Sequence, residues 1–194
     1  YTTLFRSNQL EPHFLFNALN AISALVRGDN KRNALSAIGT LSQLLRYAVA
    51  SSQVRQSTLA AELEFVRDYL QLQALRFGDR LHFTLPNLAG HLASTPVPPL
   101  LLQPLVENAI RHDLERHAHA SQLAVALEEE PSRLRIHVNN PLRTDMAPNP
   151  GSGVGLRNVR ERLALAFGDN ARLDTYEQGG AFHAVLHLPK EVDD

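Results

Sequence analysis

The sequence lacks several features that would directly indicate the class of protein to which it belongs. Its 194 residues include no cysteine and no tryptophan. Without cysteine, disulfides and Cys-ligated metals are excluded, and a reducing compartment fits. No apolar run approaches the roughly 20 residues that a transmembrane helix requires, and no signal peptide opens the chain. The formal net charge is −1, so there is no electrostatic case for binding nucleic acid or an anionic membrane surface.

The composition that is present suits two small domains or one large one. Hydrophobic residues make up 44% of the chain, which is enough for a buried core. The first residue is Tyr1 rather than methionine, so we expect a piece of a longer protein with further segments before it.

The first half of the chain is predicted to be helical. Two apolar stripes with spacings of three and four residues predict two helices separated by Gly28. The members of the first stripe are Leu15, Leu19, Ile22 and Val26, and those of the second are Leu35, Ile38, Leu41, Leu45, Tyr47 and Ala48. Such a helical hairpin exposes apolar faces that need a partner. Ser57 and Thr58 predict the start of a third helix, which Gly78 ends.

The second half predicts a sheet with helices. Alternating apolar residues predict strands over 81–85, 123–127, 134–138, 173–176 and 181–188, and helices are predicted over 100–112 and 156–167. This order is typical of an α+β sandwich in which helices cover one face of a single sheet.

Three segments carry residues suited to chemistry. In the first, Pro12 disturbs a helix beside His13, and Asn17 and Asn20 share the helix face of that imidazole. An exposed imidazole, largely neutral near pH 7, can attack phosphorus. The alternative is a histidine that merely occupies a helix kink.

The second segment, residues 102–112, places apolar residues on one helix side and Glu107, Asn108, Arg111 and His112 on the other. Carboxylate and amide oxygens suit Mg²⁺, and arginine suits phosphate. The alternative is an ordinary solvated helix face.

The third segment contains Gly151, Gly153, Gly155 and Leu156 directly before a helix. Glycines allow backbone amides to approach phosphates, and a helix amino terminus favours anions. It is neither a Walker loop nor a convincing dinucleotide fingerprint. The alternative is a plain flexible loop.

In this order the segments resemble the LytS-type sensor histidine kinases, from Pro12 almost to the end of the chain. The run Pro12 to Asn17 looks like the phosphoacceptor motif of that family, and residues 63–81 look like its connecting helix. Residues 102–112 are similar to the N box of the ATPase superfamily shared with gyrase and Hsp90, and residues 151–156 resemble its second glycine box.

The resemblance implies a domain organisation and a reaction. Residues 1–56 would form the dimerisation and phosphoacceptor hairpin, paired in a homodimer as a four-helix bundle. Residues 57–194 would form the connecting helix and a GHKL-type ATP-binding sandwich. His13 would accept the γ-phosphoryl group of ATP and pass it to an aspartate of a response regulator, at the cytoplasmic face of the bacterial inner membrane.

The resemblance also implies roles for the other candidate residues. Asn108 would ligate Mg²⁺ that bridges the ATP phosphates, and Glu107 would orient or polarise the attacking group. Arg111 and His112 would lie near the phosphates. The hinge and floor of the ATP lid would include Gly151, Gly153, Gly155 and Leu156.

The chain departs from the family pattern at its first glycine box and after His112, where Asp113 stands in place of the usual Gly, and it differs from many other histidine kinases after His13. Asn139-Asn140-Pro141 stands where the first glycine box usually reads Asp-Asn-Gly-x-Gly, so the contact to adenine would lack a charge. Phe14 follows His13 where many histidine kinases have an acid, so Glu107 is expected to take the proton. The second hypothesis is therefore a degenerate kinase that acts as a regulator-binding scaffold or as a phosphatase, with Asn17 positioning water.

Overall fold

The computed structural model describes residues 12–88, 90–142 and 154–190. In chain order the helices and strands are α1 (Pro12–Arg27), α2 (Lys31–Ser51), β1 (Ser57–Thr58), α3 (Leu59–Phe77), β2 (Leu81–Thr84), β3 (Pro96–Val97), α4 (Gln103–His112), β4 (Ser121–Glu129), β5 (Arg133–Pro141), α5 (Val154–Phe167), β6 (Arg172–Gln178) and β7 (Ala181–Pro189).

One mixed sheet of five strands forms the second half, in the order β2–β4–β5–β7–β6. β2 runs parallel to β4, and the other neighbours are antiparallel. Along β5 every second residue from Leu134 to Asn140 is buried, as expected for a sheet covered on one face. Side chains of α4 and α5 share the core with that face. The predicted α+β fold is confirmed.

Helix α3 connects the amino-terminal hairpin to the sheet. It begins at the predicted cap, since Thr58 Oγ1 accepts a hydrogen bond from the amide of Ala61 at 3.2 Å. It ends at Gly78, whose φ of 57° suits glycine. α1 and α2 both pack on α3, and one continuous core extends from the hairpin to the sheet. Within the described ranges, no helix is long and apolar enough to cross a membrane.

The apolar stripes of α1 and α2 differ in part from the prediction. The buried face of α1 carries Phe14, Ala18 and Ile22, whereas Leu19 and Val26 are more than half exposed. These two residues were expected in the buried stripe, and that expectation is wrong for the single chain. Residues four apart from Phe14 define the face towards α3, so Leu19 and Val26 lie on a second apolar face of the same helix. The kink expected at Pro12 involves Glu11 and lies outside the described residues.

A short ladder that the sequence did not predict lies at the junction of the two halves. β1 pairs antiparallel with β3, with Ser57 opposite Val97 and Thr58 opposite Pro96. The amide of Leu59 also donates to the carbonyl of Thr95 at 2.9 Å. The connection between α2 and α3 is thereby tied to the segment that leads into α4.

Candidate functional site

A cleft opens where α1, α3 and α4 meet, and polar side chains from all three helices line it. The space between its lining atoms, about 250 Å³, is open to solvent. The polar lining includes His13, Asn17, Gln73, Arg76, Glu107 and Arg111. The predicted acceptor histidine and the predicted Glu107 therefore lie in one cleft of one chain.

His13 reaches the cleft because its neighbour is anchored on α3. Phe14 is buried, and its ring centroid lies 4.7 Å from that of Tyr69. Consecutive helix residues point about 100° apart, so the burial of Phe14 turns the exposed His13 ring sideways towards α4. The amide nitrogen of Asn17 lies 3.3 Å from Nδ1 and 3.4 Å from Nε2 of His13, as the predicted i+4 spacing requires.

The cleft wall opposite His13 is the polar face of α4. Its apolar residues Leu105, Val106 and Ala109 are buried, whereas Glu107 and Asn108 are half-buried. Gln103 Nε2 donates to Glu107 Oε1 at 2.7 Å, which fixes the carboxylate one turn above. Glu107 lines the cleft with His13, whereas Asn108, the next residue of the same polar face, is not among the residues that line it.

Positive charge also lies in the cleft. Arg111 follows Glu107 by one helical turn, and Arg76 of α3 forms an ion pair with Glu115 at 2.7 Å. Guanidinium groups bind phosphate oxygens in a bidentate manner. The cleft thus combines an imidazole with two carboxylates, those of Glu107 and Glu115, and two guanidinium groups.

His112, the last residue of α4, is half-buried. Burial lowers its pKa below 6.5, and the charges of Arg111 and Arg116 lower it further. Its imidazole is therefore neutral at pH 7 and adds no positive charge to the site.

The glycine segment is described only in part. Gly151 and Gly153 lie outside the described residues. Gly155 lies in the first turn of α5, where a Cβ would lie 3.7 Å from Cβ of Pro104 at the start of α4. Leu156 packs partly buried against the core. Gly155 therefore lies against the first turn of the helix that carries Glu107 and Asn108.

The two candidate asparagines of β5 lie on opposite faces of the sheet. Asn140 is buried on the side of α4 and α5, and its Nδ2 donates to the carbonyl of Pro141 at 3.0 Å. Asn139 points to the other face, where its Oδ1 lies 2.9 Å from His183 Nδ1. Only Asn140 thus shares a sheet face with α4.

A protein-only metal site is not apparent in the part of the chain that the structure describes. No group of three or more His, Cys, Asp or Glu residues there is arranged to hold a metal ion. Mg²⁺ commonly uses one or two protein ligands together with water and substrate phosphates. A half-buried Asn108 on the polar face of α4 fits such a ligand.

Sequence reasoning missed one buried polar group close to the site. Glu62 lies in the first turn of α3, where the helix dipole favours an acid, yet its side chain is 1% exposed. Its position is one turn from both Leu59 and Val66, which are buried core residues. That spacing within an apolar stripe was the available signal for a buried carboxylate.

Comparisons with known proteins agree with the resemblance stated above. Residues 4–81 match the family model described as histidine kinase. The chain is 34% identical to the sensor histidine kinase YpdA of Escherichia coli K12 over 181 residues, which is 89% of this chain and 32% of that protein. It is 31% identical to the sensor histidine kinase/phosphatase LytS of Staphylococcus aureus over 201 residues, 96% of this chain and 34% of that protein. The chain thus spans about a third of the length of these curated relatives.

Solved structures show the same fold. The histidine kinase ThkA, in a complex with the response regulator protein TrrA, matches with a TM-score of 0.51 and 12% identity. The match covers 92% of this chain and 59% of the ThkA chain. At this identity the similarity bears on the fold alone.

Proposed function

Because the chain belongs to the LytS-type sensor histidine kinases, we propose that it is the catalytic region of such a kinase and that His13 is its phosphoacceptor. The observation that carries this proposal is the shared cleft, in which an exposed His13 faces the α4 wall with Glu107 and Arg111. Catalysis of phosphoryl transfer is mostly positioning and charge stabilisation, and this cleft holds groups for both.

Histidine kinases of this kind use ATP with a divalent metal. In the proposed site Asn108 ligates Mg²⁺, Arg111 and His112 lie near the phosphates, and the glycine segment with Gly155 and Leu156 forms the floor of the ATP lid. The buried Asn140 is on the correct sheet face to contact adenine, whereas Asn139 faces away from α4. We therefore assign the adenine contact to Asn140.

In the proposed reaction a ring nitrogen of His13 forms the bond to the γ-phosphorus while the bond from that phosphorus to the oxygen of the ADP leaving group breaks. The carboxylate of Glu107 takes the ring proton, since Phe14 offers no acid beside His13. The phosphoryl group then passes to an aspartate of a response regulator. ThkA, the structural neighbour, is a kinase held in complex with such a regulator.

The proposed homodimer is supported by a second apolar face on the hairpin. Residues at helical spacing on α1 and α2 expose large apolar side chains to solvent: Phe16, Leu19, Val26, Leu35, Ile38, Leu45 and Val49. Packing two hairpins through these faces makes a four-helix bundle. In this proposal residues 1–56 form the dimerisation unit, residues 57–194 form the ATP-binding unit, and the fragment lies at the cytoplasmic face of the membrane.

The test is incubation of the purified chain with γ-labelled ATP and Mg²⁺. The parent chain should acquire an acid-labile label, and His13→Ala should acquire none. His119→Ala, which removes an exposed histidine between α4 and β4, is the matched control and should be labelled like the parent. Absence of label on the parent, or equal label on His13→Ala, would refute the proposal.

A second candidate activity is dephosphorylation of the regulator, which the contact between Asn17 and His13 favours. An amide next to the acceptor ring can orient a water molecule. Asn17→Ala should then slow dephosphorylation of the phosphorylated regulator, while Asn20→Ala, an exposed asparagine on the same helix, should not. Equal rates for both variants would exclude this role for Asn17.

A further inference from the structure

A buried carboxylate joins the hairpin to the segment in front of α4. Glu62 Oε1 accepts hydrogen bonds from the Tyr47 hydroxyl at 2.7 Å and from the amide of Leu100 at 2.6 Å. Its Oε2 accepts from the amides of Leu101 at 2.7 Å and Leu102 at 3.0 Å. Four donors from two separate parts of the chain therefore converge on one side chain of α3.

This arrangement suits an ionised carboxylate. Burial raises the pKa of Glu62 above its ordinary value, and the four hydrogen bonds offset that effect only in part. Every partner donates, so a carboxylate satisfies all of them and a protonated carboxyl does not. Consecutive amides aimed at one anion form a concave nest, and Leu100 adopts a positive φ of 55° within it. Such a conformation is costly for leucine, and the bonds to Glu62 hold it.

The same loop is held from its other side by Arg162 of α5. Its Nη1 donates to the carbonyl of Pro99 at 3.1 Å and also to the carbonyl of Leu100. Glu62 thus takes the amides of the loop 99–102, and Arg162 takes its carbonyls. Because α4 begins at Gln103, this loop sets the position from which Glu107 and Asn108 extend.

Tyr47 extends the connection to the phosphoacceptor hairpin. It belongs to α2, and its ring centroid lies 5.2 Å from that of Phe65 on α3. Its hydroxyl oxygen also lies 2.7 Å from Ser57 Oγ. Apolar side chains of α1 and α2 also pack on α3, and contacts of this kind are non-directional. The hydrogen bond to Glu62 is directional and reaches from α2, through α3, to the loop before α4.

We propose that Tyr47 and Glu62 are positioning residues that fix the hairpin carrying His13 relative to the helix carrying Glu107 and Asn108. This inference rests on the proposed kinase function. Loss of the Tyr47 hydroxyl should leave the nucleotide site intact, because Glu62 keeps its three amide partners. It should instead loosen the alignment of His13, so that turnover falls while nucleotide affinity does not.

The experiment compares autophosphorylation kinetics and Mg²⁺–nucleotide affinity of the parent, Tyr47→Phe and Glu62→Gln. For Tyr47→Phe we expect kcat to fall about tenfold, the scale of one hydrogen bond to a charged group, with an unchanged KM for ATP. Rates are expressed per nucleotide-binding site, so that a partly unfolded sample does not imitate the effect. Glu62→Gln should lower kcat further, since its amide group places a donor against donors.

Two controls separate alignment from general damage. Ser57→Ala removes another partner of Tyr47 and leaves the bond to Glu62, so its kcat should stay close to that of the parent. Tyr176→Phe removes a half-exposed hydroxyl from β6, at the sheet edge opposite β2, and should change nothing.

The outcomes are distinct. An unlabelled parent chain would refute the kinase function itself. A labelled parent with an unchanged kcat in Tyr47→Phe would overturn the positioning role. A loss of nucleotide affinity in proportion to the loss of rate in Tyr47→Phe, which leaves the three amide bonds of Glu62 in place, would show that the hydroxyl only stabilises the fold, and it would overturn the proposal as well.

Discussion

Single side chains near the cleft owe their properties to immediate neighbours in the helix. His13 is exposed because Phe14 is buried beside it, and Glu107 is directed by Gln103 one turn earlier. The spacing along each helix was readable from the sequence, and it predicted the polar faces that carry His13 and Glu107. The four hydrogen-bond partners of Glu62 were not readable in the same way, because they come from residues 15 to 40 positions away. Only the folded chain brings them together.

The pKa of His112 provides a prediction at the scale of one residue. Burial, Arg111 and Arg116 place it below the unfolded value of 6.5. As the pH falls through that value, the unfolded chain gains a proton at His112 and the folded chain does not, so the free energy of unfolding decreases. Urea unfolding at pH about 7.5 and about 5.5 should show a larger loss for the parent than for His112→Asn. An equal loss for both proteins would contradict this assignment.

At the scale of elements, the strands of the sheet lie close to the positions predicted from the sequence. The alternation of apolar residues located β4 to β7, and Gly179 and Gly180, both with positive φ, form the turn between β6 and β7. β1 and β3 escaped prediction because two residues cannot show a period of two. The exposed face of α1 was also misassigned, since helical spacing identifies apolar stripes but not which stripe a single chain buries.

Substitution of two phenylalanines of α1 tests which face of the helix is buried in the single chain and which is exposed. Phe14 is 4% exposed and Phe16 is 68% exposed, although only one residue separates them. Phe14→Ala should lower the free energy of unfolding by about 3–5 kcal/mol because it empties a packed site against Tyr69. Phe16→Ala should change the unfolding of the monomer by less than about 0.5 kcal/mol and should weaken self-association.

The measurements for this pair are denaturant unfolding at low protein concentration and sedimentation at increasing concentration. Phe14→Ala serves as the control for general damage to α1. If Phe16→Ala associates as tightly as the parent, the proposed dimer face is wrong, whatever the effect of Phe14→Ala on stability.

At the scale of the whole molecule, the site exists only because three regions distant in sequence meet. The resemblance named the acceptor segment and the N box separately, and it gave no relative placement for them. The placement depends on α3, which anchors Phe14 through Tyr69 at one position and the loop before α4 through Glu62 at another. Sequence patterns show local periodicity. The contacts that α3 makes with α1 and with the loop before α4 exist only in the packed chain.

This placement predicts which chain of a dimer phosphorylates which. His13 and Glu107 line one cleft within a single chain, so the phosphoryl group should pass in cis. A mixture of His13→Ala, which keeps Asn108, with Asn108→Ala, which keeps His13, should therefore acquire no label.

The two variants carry tags of different size, and exchange of subunits is verified by co-purification. Each variant mixed with the parent provides the control, because the parent chain should still be labelled in both mixtures. Label on the Asn108→Ala chain would instead mean that His13 is phosphorylated from nucleotide bound to the partner chain. Phosphoryl transfer would then not occur in the cleft of the single chain.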